Sequence, residues 1–383
     1  MVKSDKLTER EFGFWLNNIQ GIGWKKTKDL LDYFTSYENI YYGDEVEYNK
    51  IQSLNKKNIY DILEGKDPYK IKEKLSIMEK RGYNFVLREE KNYPKRLTYV
   101  YDCPHILYYR GKLPDNNVPS IGIIGARECT KYGLYYANMF AEKLASYGFQ
   151  IISGLARGID VAAHKGAIQN SGATFAVLGC GIDICYPKEN IDTFMKTLEN
   201  GGIISEYPMY TIPKAGNFPM RNRIISGISD GLLVIEAKKK SGSLITVDMA
   251  LEQGKDIYAL PGGINSALSE GCNNLIKNGA KLVTSVDDIL EDFSDYIYRR
   301  NSVKNLNDDQ DEIGRICEKN KIFLESHEKI VYASLRLESK HIDEIVCETG
   351  FSIGEIFSIL FKLEEKGLVI QSKNNFYGRL NLG

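Results

Sequence analysis

Four arginines stand beside small or polar residues just where apolar runs end: Arg127, Arg157, Arg221 and Arg223. Arg127 closes Gly125-Ala126-Arg127. Arg157 lies within Ser153-Gly154-Leu155-Ala156-Arg157-Gly158-Ile159-Asp160. Arg221 and Arg223 belong to Phe218-Pro219-Met220-Arg221-Asn222-Arg223, and Ser241-Gly242-Ser243 adds another small turn. A guanidinium presents a planar fork of donors suited to phosphate oxygens. The amides of glycine-rich turns and helix N-termini attract anions as well. Together these residues predict a phosphate cradle built from several loops. Arg127 and Arg221 read as ligand contacts. For Arg157 and Arg223 an internal ion pair with Asp160 or Glu236 is an equal alternative. Phe218, flanked by Asn217, Pro219 and Arg221, reads as a loop residue whose ring gives a base something to stack on; a core position is the competing reading.

Other chemistries fit less well. A dinucleotide site needs Gly-x-Gly-x-x-Gly after the first strand and an acid after the second. Here the first turn is Gly122-Ile123-Ile124-Gly125-Ala126-Arg127 and the second strand ends in Ser153-Gly154. NAD binding is therefore not expected, and no cofactor is assigned. His164 follows Asp160 by four residues, so the two share a helix face. With no nucleophile placed beside them, capping and packing are expected, Asp160 as the N-cap. The seven cysteines are scattered without a Cys-x-x-Cys pair, so no metal site is expected.

The elements that must position these residues alternate. Ile121–Ile124, Gln150–Ile152, Phe175–Leu178, Gly202–Ile204, Leu232–Ile235 and Ile257–Leu260 are short apolar runs separated by helical patterns. That alternation predicts an α/β fold, an extended Rossmann-like parallel sheet over residues 84–297. Ligands of such sheets bind outside the carboxyl ends of the strands, which is where all the loops above would gather. Val286 to Tyr296 reads as a last helix with Ile289, Leu290 and Phe293 as an apolar stripe, either a dimer interface or packed on its own sheet.

Residues 1–83 read as a charged helical domain. Within it Gln20-Gly21-Ile22-Gly23-Trp24-Lys25-Lys26 suggests a helix-hairpin-helix, or a plain helical hairpin whose glycines relieve crowding. Residues 298–320 are polar and read as a linker. Residues 321–383 carry three helical patterns and a strand pair, a winged-helix pattern. Its recognition helix, Ile353 to Lys366, mixes Glu355, Lys362, Glu364, Glu365 and Lys366, not the basic face of a strong DNA reader. No apolar run is long enough to span a membrane, the first residues lack a secretory h-region, and unpaired cysteines suit a reducing compartment. A cytoplasmic protein is expected. With a formal net charge of −1, any nucleic-acid site must be a local basic pocket.

Several runs together resemble the DNA-processing protein A (DprA/Smf) family: Ile123 to Arg127, Ser153 to Asp160 with Ala163-His164, Val177 to Asp183 with Tyr186-Pro187, Phe218 to Ser226, Ser241 to Leu244, and Pro261-Gly262 with Gly271 to Ala280. Order and spacing agree through most of residues 93–297. The resemblance implies a protein without catalytic activity that binds single-stranded DNA, protects it and loads RecA recombinase during natural transformation, as a homodimer formed at the end of the Rossmann-like domain. It implies a DNA pocket using Arg127, Phe218 and Arg221, with Lys214 as the match for an upstream basic residue. Ala126 departs from the family's usual serine. The alternative is a Rossmann-like nucleotide-binding module or nucleotide-hydrolysing enzyme, since related Rossmann-like proteins cleave nucleotide glycosidic bonds with a Pro-Gly-Gly turn. Here Pro261-Gly262-Gly263 continues into Ile264-Asn265-Ser266-Ala267-Leu268 without the acid those enzymes carry.

Overall fold

The computed structural model describes residues 6–298, 300, 325–335 and 339–380. The chain forms two compact units, Met1–Asp292 and Phe293–Gly383, each taken by itself. Most of the 298–320 segment read as a linker lies outside the described residues.

The first unit is organised by one nine-stranded sheet. Its strands are β1 (Asn84–Leu87), β2 (Ile106–Gly111), β3 (Ser120–Ile124), β4 (Gln150–Ser153), β5 (Thr174–Leu178), β6 (Gly202–Ser205), β7 (Gly231–Val234), β8 (Asp256–Ala259) and β9 (Lys281–Leu282). Their order is β1-β2-β6-β5-β4-β3-β7-β8-β9. From β6 to β9 every pairing is parallel, while β2 joins β6 and β1 joins β2 antiparallel. Residues on β3 to β7 are buried throughout, as expected for strands covered on both faces. The six expected strands are all present. Between β1 and β2, Lys95–Tyr99 forms a 3₁₀ turn behind Pro94.

The chain leaves β3 toward β4, β5 and β6, then returns to add β7 and β8 on the other side of β3. Helices Lys131–Ser146 and Ile159–Gln169 pack together, as do helices Asn217–Ile228 and Gly242–Glu252. The reversal of winding between β3 and β7 opens a crevice at their carboxyl ends.

The helices of residues 9–80 do not form a core of their own. Phe12, Phe14, Leu16, Ile62 and Leu75 share one buried cluster with Phe85, Tyr108, Leu178 and Ile203 of the sheet. The boundary expected near residue 83 therefore does not separate two compact units. The expected hairpin is present: helix Glu9–Asn17 is started by a Thr8/Glu11 capping box, Gly21 takes φ +81°, and helix Trp24–Phe34 follows. Lys26 donates to the Gly21 carbonyl at 2.8 Å and to the Asn58 side chain at 2.7 Å, which ties the hairpin to its own domain.

The helix expected over Val286 to Tyr296 is present with one tightened turn: Asp287–Leu290 is α-helical, Glu291–Phe293 is a 3₁₀ turn, and residues 294–298 are α-helical again. Ile289 is fully buried and Leu290 is 9% exposed. Both side chains are thus largely covered by this chain itself.

In the second unit, helices Ser326–Ser334, Ile342–Thr349 and Ile353–Glu365 enclose Val331, Ile345, Ile356, Leu360 and Leu363. Three antiparallel strands complete it, β10 (Lys340–His341), β11 (Val369–Lys373) and β12 (Phe376–Arg379), in the order β10-β12-β11.

Candidate nucleic-acid interface

An open groove of about 680 Å³ lies over the crevice at the ends of β3 and β7. Gly125, Ala126 and Arg127 line it from the loop after β3. Phe218, Arg221 and Asn222 line it from helix Asn217–Ile228, and Ser241 and Gly242 from the start of helix Gly242–Glu252.

The groove exists because its floor is small. A Cβ on Gly125 would stand 2.6 Å from Ile159 and 2.9 Å from the Glu236 carbonyl. Gly158 caps helix Ile159–Gln169 at φ +74°, where a side chain is disfavoured and a Cβ would strike the Ala126 carbonyl. Buried Glu236 accepts from the Thr130 amide at 2.9 Å and hydroxyl at 2.6 Å, fixing the loop that carries Arg127.

Phe218 is not in a loop. It occupies the first turn of helix Asn217–Ile228, where Pro219 is tolerated because first-turn amides have no intrahelical partner. Helical spacing then places Phe218, Arg221, Asn222 and Ile225 along one groove wall. The half-buried Phe218 ring lies against the Gly179 backbone, where a Cβ would come within 2.8 Å. Tyr186 packs beside it, centroids 5.5 Å apart and planes tilted by 30°. The exposed Arg127 guanidinium stands 5.5 Å from the centre of the Phe218 ring. Arginine and stacked rings thus form one platform.

Burial separates the four arginines that look alike in the sequence. Arg127 is exposed at the groove. Arg221 is 4% exposed. Its Nη1 donates to the carbonyls of Gly154, at 2.7 Å, and Val177, and its Nε donates to Asn222 Oδ1 at 3.1 Å. Burial pulls its pKa down, opposed by the Asp160 carboxylate. Arg221 lines the groove, yet much of its donor capacity is used within the fold. Arg223 is sealed inside, paired with Asp102 at 3.0 Å and Glu206 at 2.6 Å; the ion-pair alternative holds for it, with partners other than those expected. Arg157 is exposed but turned to Glu189, Nη2 to Oε2 at 3.0 Å, and is not part of the groove wall.

Other expected site residues also change role. Ser153 is fully buried, donates to the Ile123 carbonyl at 2.6 Å and so joins strands; it does not line the groove. Gly154 is buried against Arg221 and serves the site through its carbonyl. Lys214 is exposed, between two groove-lining residues, Pro213 and Ala215. Asp160 is not the N-cap of its helix but lies inside its first turn, accepting from the Ala156 amide at 3.4 Å. Burial pushes its pKa up, and Arg221 opposes this. His164 does not meet Asp160; its Nδ1 bonds the Thr174 hydroxyl at 2.7 Å.

The groove also contains Tyr186, noted in the sequence only for the family resemblance and not as a site residue, and Lys238 and Lys240, which were not singled out. For the lysines a signal was available: Lys238-Lys239-Lys240 directly precedes Ser241. Among the described residues no group of three or more His, Cys, Asp or Glu side chains is arranged to hold a metal ion. No helix among them is long and apolar enough to cross a membrane.

Comparison with known proteins agrees with this architecture. The model of the family described as DNA recombination-mediator protein A matches residues 84–294. Protein Smf of Synechocystis is 31% identical, over 97% of this chain and all of the relative. The DNA processing protein DprA of Streptococcus pneumoniae is 44% identical, over 52% of this chain and 71% of the relative. Its X-ray structure superposes with a TM-score of 0.56 at 33% identity, covering 75% of this chain and 98% of that one. A DNA processing protein A from Helicobacter pylori, whose structure is described for its single-stranded DNA binding mode, superposes at 0.50 with 29% identity, covering 56% of this chain and 96% of that one. Matched by the family's model over more than half its length, and by a relative over nearly all of it, the chain belongs to the DNA recombination-mediator protein A family, the DprA/Smf proteins.

Proposed function

We propose that this protein binds single-stranded DNA in the groove at the ends of β3 and β7 and serves DNA recombination by protecting the strand and delivering it to a RecA recombinase. The observation that carries the reading is Arg127 standing 5.5 Å from the centre of the Phe218 ring, itself beside Tyr186. Binders of single strands pair a cationic groove with aromatic faces, and every base has a π-face, so little sequence is read. Lys238, Lys240 and the amides at Ser241-Gly242 add phosphate contacts along one edge. The relative from H. pylori, described for binding single-stranded DNA, supports the same assignment.

Binding is favoured over hydrolysis because the buried acids near the groove hold structure together. Glu236 is committed to Thr130, and Asp160 faces the Ala156 amide and Arg221. Hand-over to RecA and homodimerisation in the cytoplasm complete the proposal. The second unit reads as a winged helix, which we assign to protein contact because its third helix carries few cations and exposes Ile353, Phe357 and Phe361. A mobility-shift comparison of single- and double-stranded DNA at two salt concentrations tests the proposal. Preference for the single strand supports it; equal or tighter binding of duplex overturns it.

A further inference from the structure

The loop between β6 and helix Asn217–Ile228 carries a further aromatic ring, which does not line the groove. Tyr210 is 60% exposed, and its backbone is held at φ +65°. That left-handed conformation is rare for a bulky residue. Three hydrogen bonds hold it. The Tyr210 amide donates to Asp183 Oδ1 at 2.9 Å, the Gly181 amide to the Thr211 carbonyl at 2.8 Å, and the Thr211 hydroxyl to the Pro208 carbonyl at 2.7 Å. The chain thus keeps a tyrosine where glycine would meet less strain, yet leaves it largely open to solvent. Strained positions of this kind cluster at ligand clamps and other functional sites.

The Arg81 guanidinium stands over this ring, 5.6 Å from its centre. Arg81 follows helix Pro68–Lys80 as its C-cap and is itself exposed. The pair repeats, on different elements, the 5.5 Å arrangement of Arg127 and Phe218. The two pairs are neighbours at the end of β5. Phe218 lies against Gly179, and Gly181, two residues on, binds the loop at Thr211. Two residues of extended chain span at most about 7 Å, the rise of about two stacked nucleotides. Lys214 is exposed on the loop between Tyr210 and Phe218.

We propose that Arg81 and Tyr210 form a second stacking platform, which takes further bases of the same single strand as it leaves the groove across the end of β5. The proposal rests on the reading of that groove as a single-strand site. A base stacks on the Tyr210 ring, Arg81 meets the phosphate beside it, and Lys214 meets a phosphate between the platforms. A stacked ring accepts every base, so the second platform adds affinity and footprint without sequence choice. Short strands fill the groove alone, and only longer ones reach Tyr210. A purely internal clasp between Arg81 and the loop would give no such dependence on strand length.

The test is fluorescence anisotropy of the full-length protein with labelled oligo-dT of about 4 and about 16 nucleotides, the limits of usual single-strand site sizes. The informative variant is Tyr210→Gly, which removes the ring and suits φ +65° better than tyrosine, so the loop keeps its path. It should weaken the long strand about fivefold or more, the worth of one stacked base, and leave the short strand unchanged. Tyr210→Phe should bind like the parent. Arg81→Ala should weaken the long strand and lower its log–log salt slope by about 0.7, and Arg81→Lys should restore the slope. Phe218→Ala should weaken both lengths. A parent protein that binds neither strand defeats the groove reading and this proposal with it. Where the parent binds, an unchanged long strand with Tyr210→Gly, or an equal loss at both lengths, overturns the second platform and leaves the groove standing.

Discussion

The Gly154 carbonyl accepts a hydrogen bond from Arg221 Nη1 at 2.7 Å, and a Cβ on Gly154 would lie 2.3 Å from that same nitrogen. Glycine is required here by close approach, since the buried guanidinium has little room to retreat. Gly154→Ala should therefore destabilise the fold by about 1–3 kcal/mol, the usual cost of overpacking. Urea denaturation followed by circular dichroism measures this, and an unchanged midpoint would show that Arg221 is not held as described.

The arginines should separate by phenotype. Arg127→Ala removes an exposed cation and should leave thermal stability within about 0.5 kcal/mol of the parent. Arg223→Ala leaves Glu206 and Asp102 facing an empty buried site and should cost about 3–5 kcal/mol. Arg221→Ala should lose stability as well as DNA affinity, because it strips donors from two buried carbonyls. Thermal melts beside binding titrations check all three. Equal melting temperatures for Arg127→Ala and Arg223→Ala would contradict the assignment.

Two buried histidines predict acid sensitivity. Burial pushes His164 down to about 3 and His105 down to about 4. An unfolded histidine titrates near 6.5, so below that pH the unfolded chain takes up protons that the folded chain refuses. Each histidine therefore lowers stability as pH falls from about 6.5 to its folded value, by about 1.4 kcal/mol per pH unit. Denaturation between pH 7 and 5 tests this. His164→Asn should flatten the slope whatever it does to stability at pH 7; an unchanged slope would mean that His164 is not buried neutral.

How far the sequence carried depends on what each residue's neighbours contribute. The strands were legible because both faces of β3 to β8 are covered, which makes each a continuous apolar run ending in small residues. Phe218 was misread because Pro219 resembles loop, although a proline is harmless in a first turn. The four arginines could not be sorted, since burial of Arg221 and Arg223 comes from helix Asn217–Ile228 lying under loops distant in sequence. Glu206 and Asp102, the partners of Arg223, lie in other segments and carry no spacing signal. The apolar spacing of Ile289 and Leu290 suited a dimer face and a core equally, and their burial in this chain carried no signal of its own in the sequence. The shared core of the N-terminal helices and the sheet was hidden for the same reason.

Binding should weaken with salt. For single strands log K falls with log salt by about 0.7 per phosphate neutralised. Lys238→Ala and Lys240→Ala should each reduce that slope while weakening all sequences alike. Arg157→Ala should leave the slope unchanged, because Arg157 is already paired with Glu189. Anisotropy titrations across salt concentrations check this, and an unaltered slope for the double lysine variant would place the phosphates elsewhere.

The most direct measurement is fluorescence anisotropy of a labelled oligo-dT with the parent protein, Arg127→Ala, Phe218→Ala, and a chain ending at Asp292. The loss at Phe218 should be about 1–3 kcal/mol per stacked base, and at Arg127 about 1.5–3 kcal/mol for a charge-assisted contact. The chain ending at Asp292 retains the whole groove and should keep most of the affinity. If the shortened chain fails to bind while both point variants bind like the parent, the strand is held outside this groove and the proposed site is wrong.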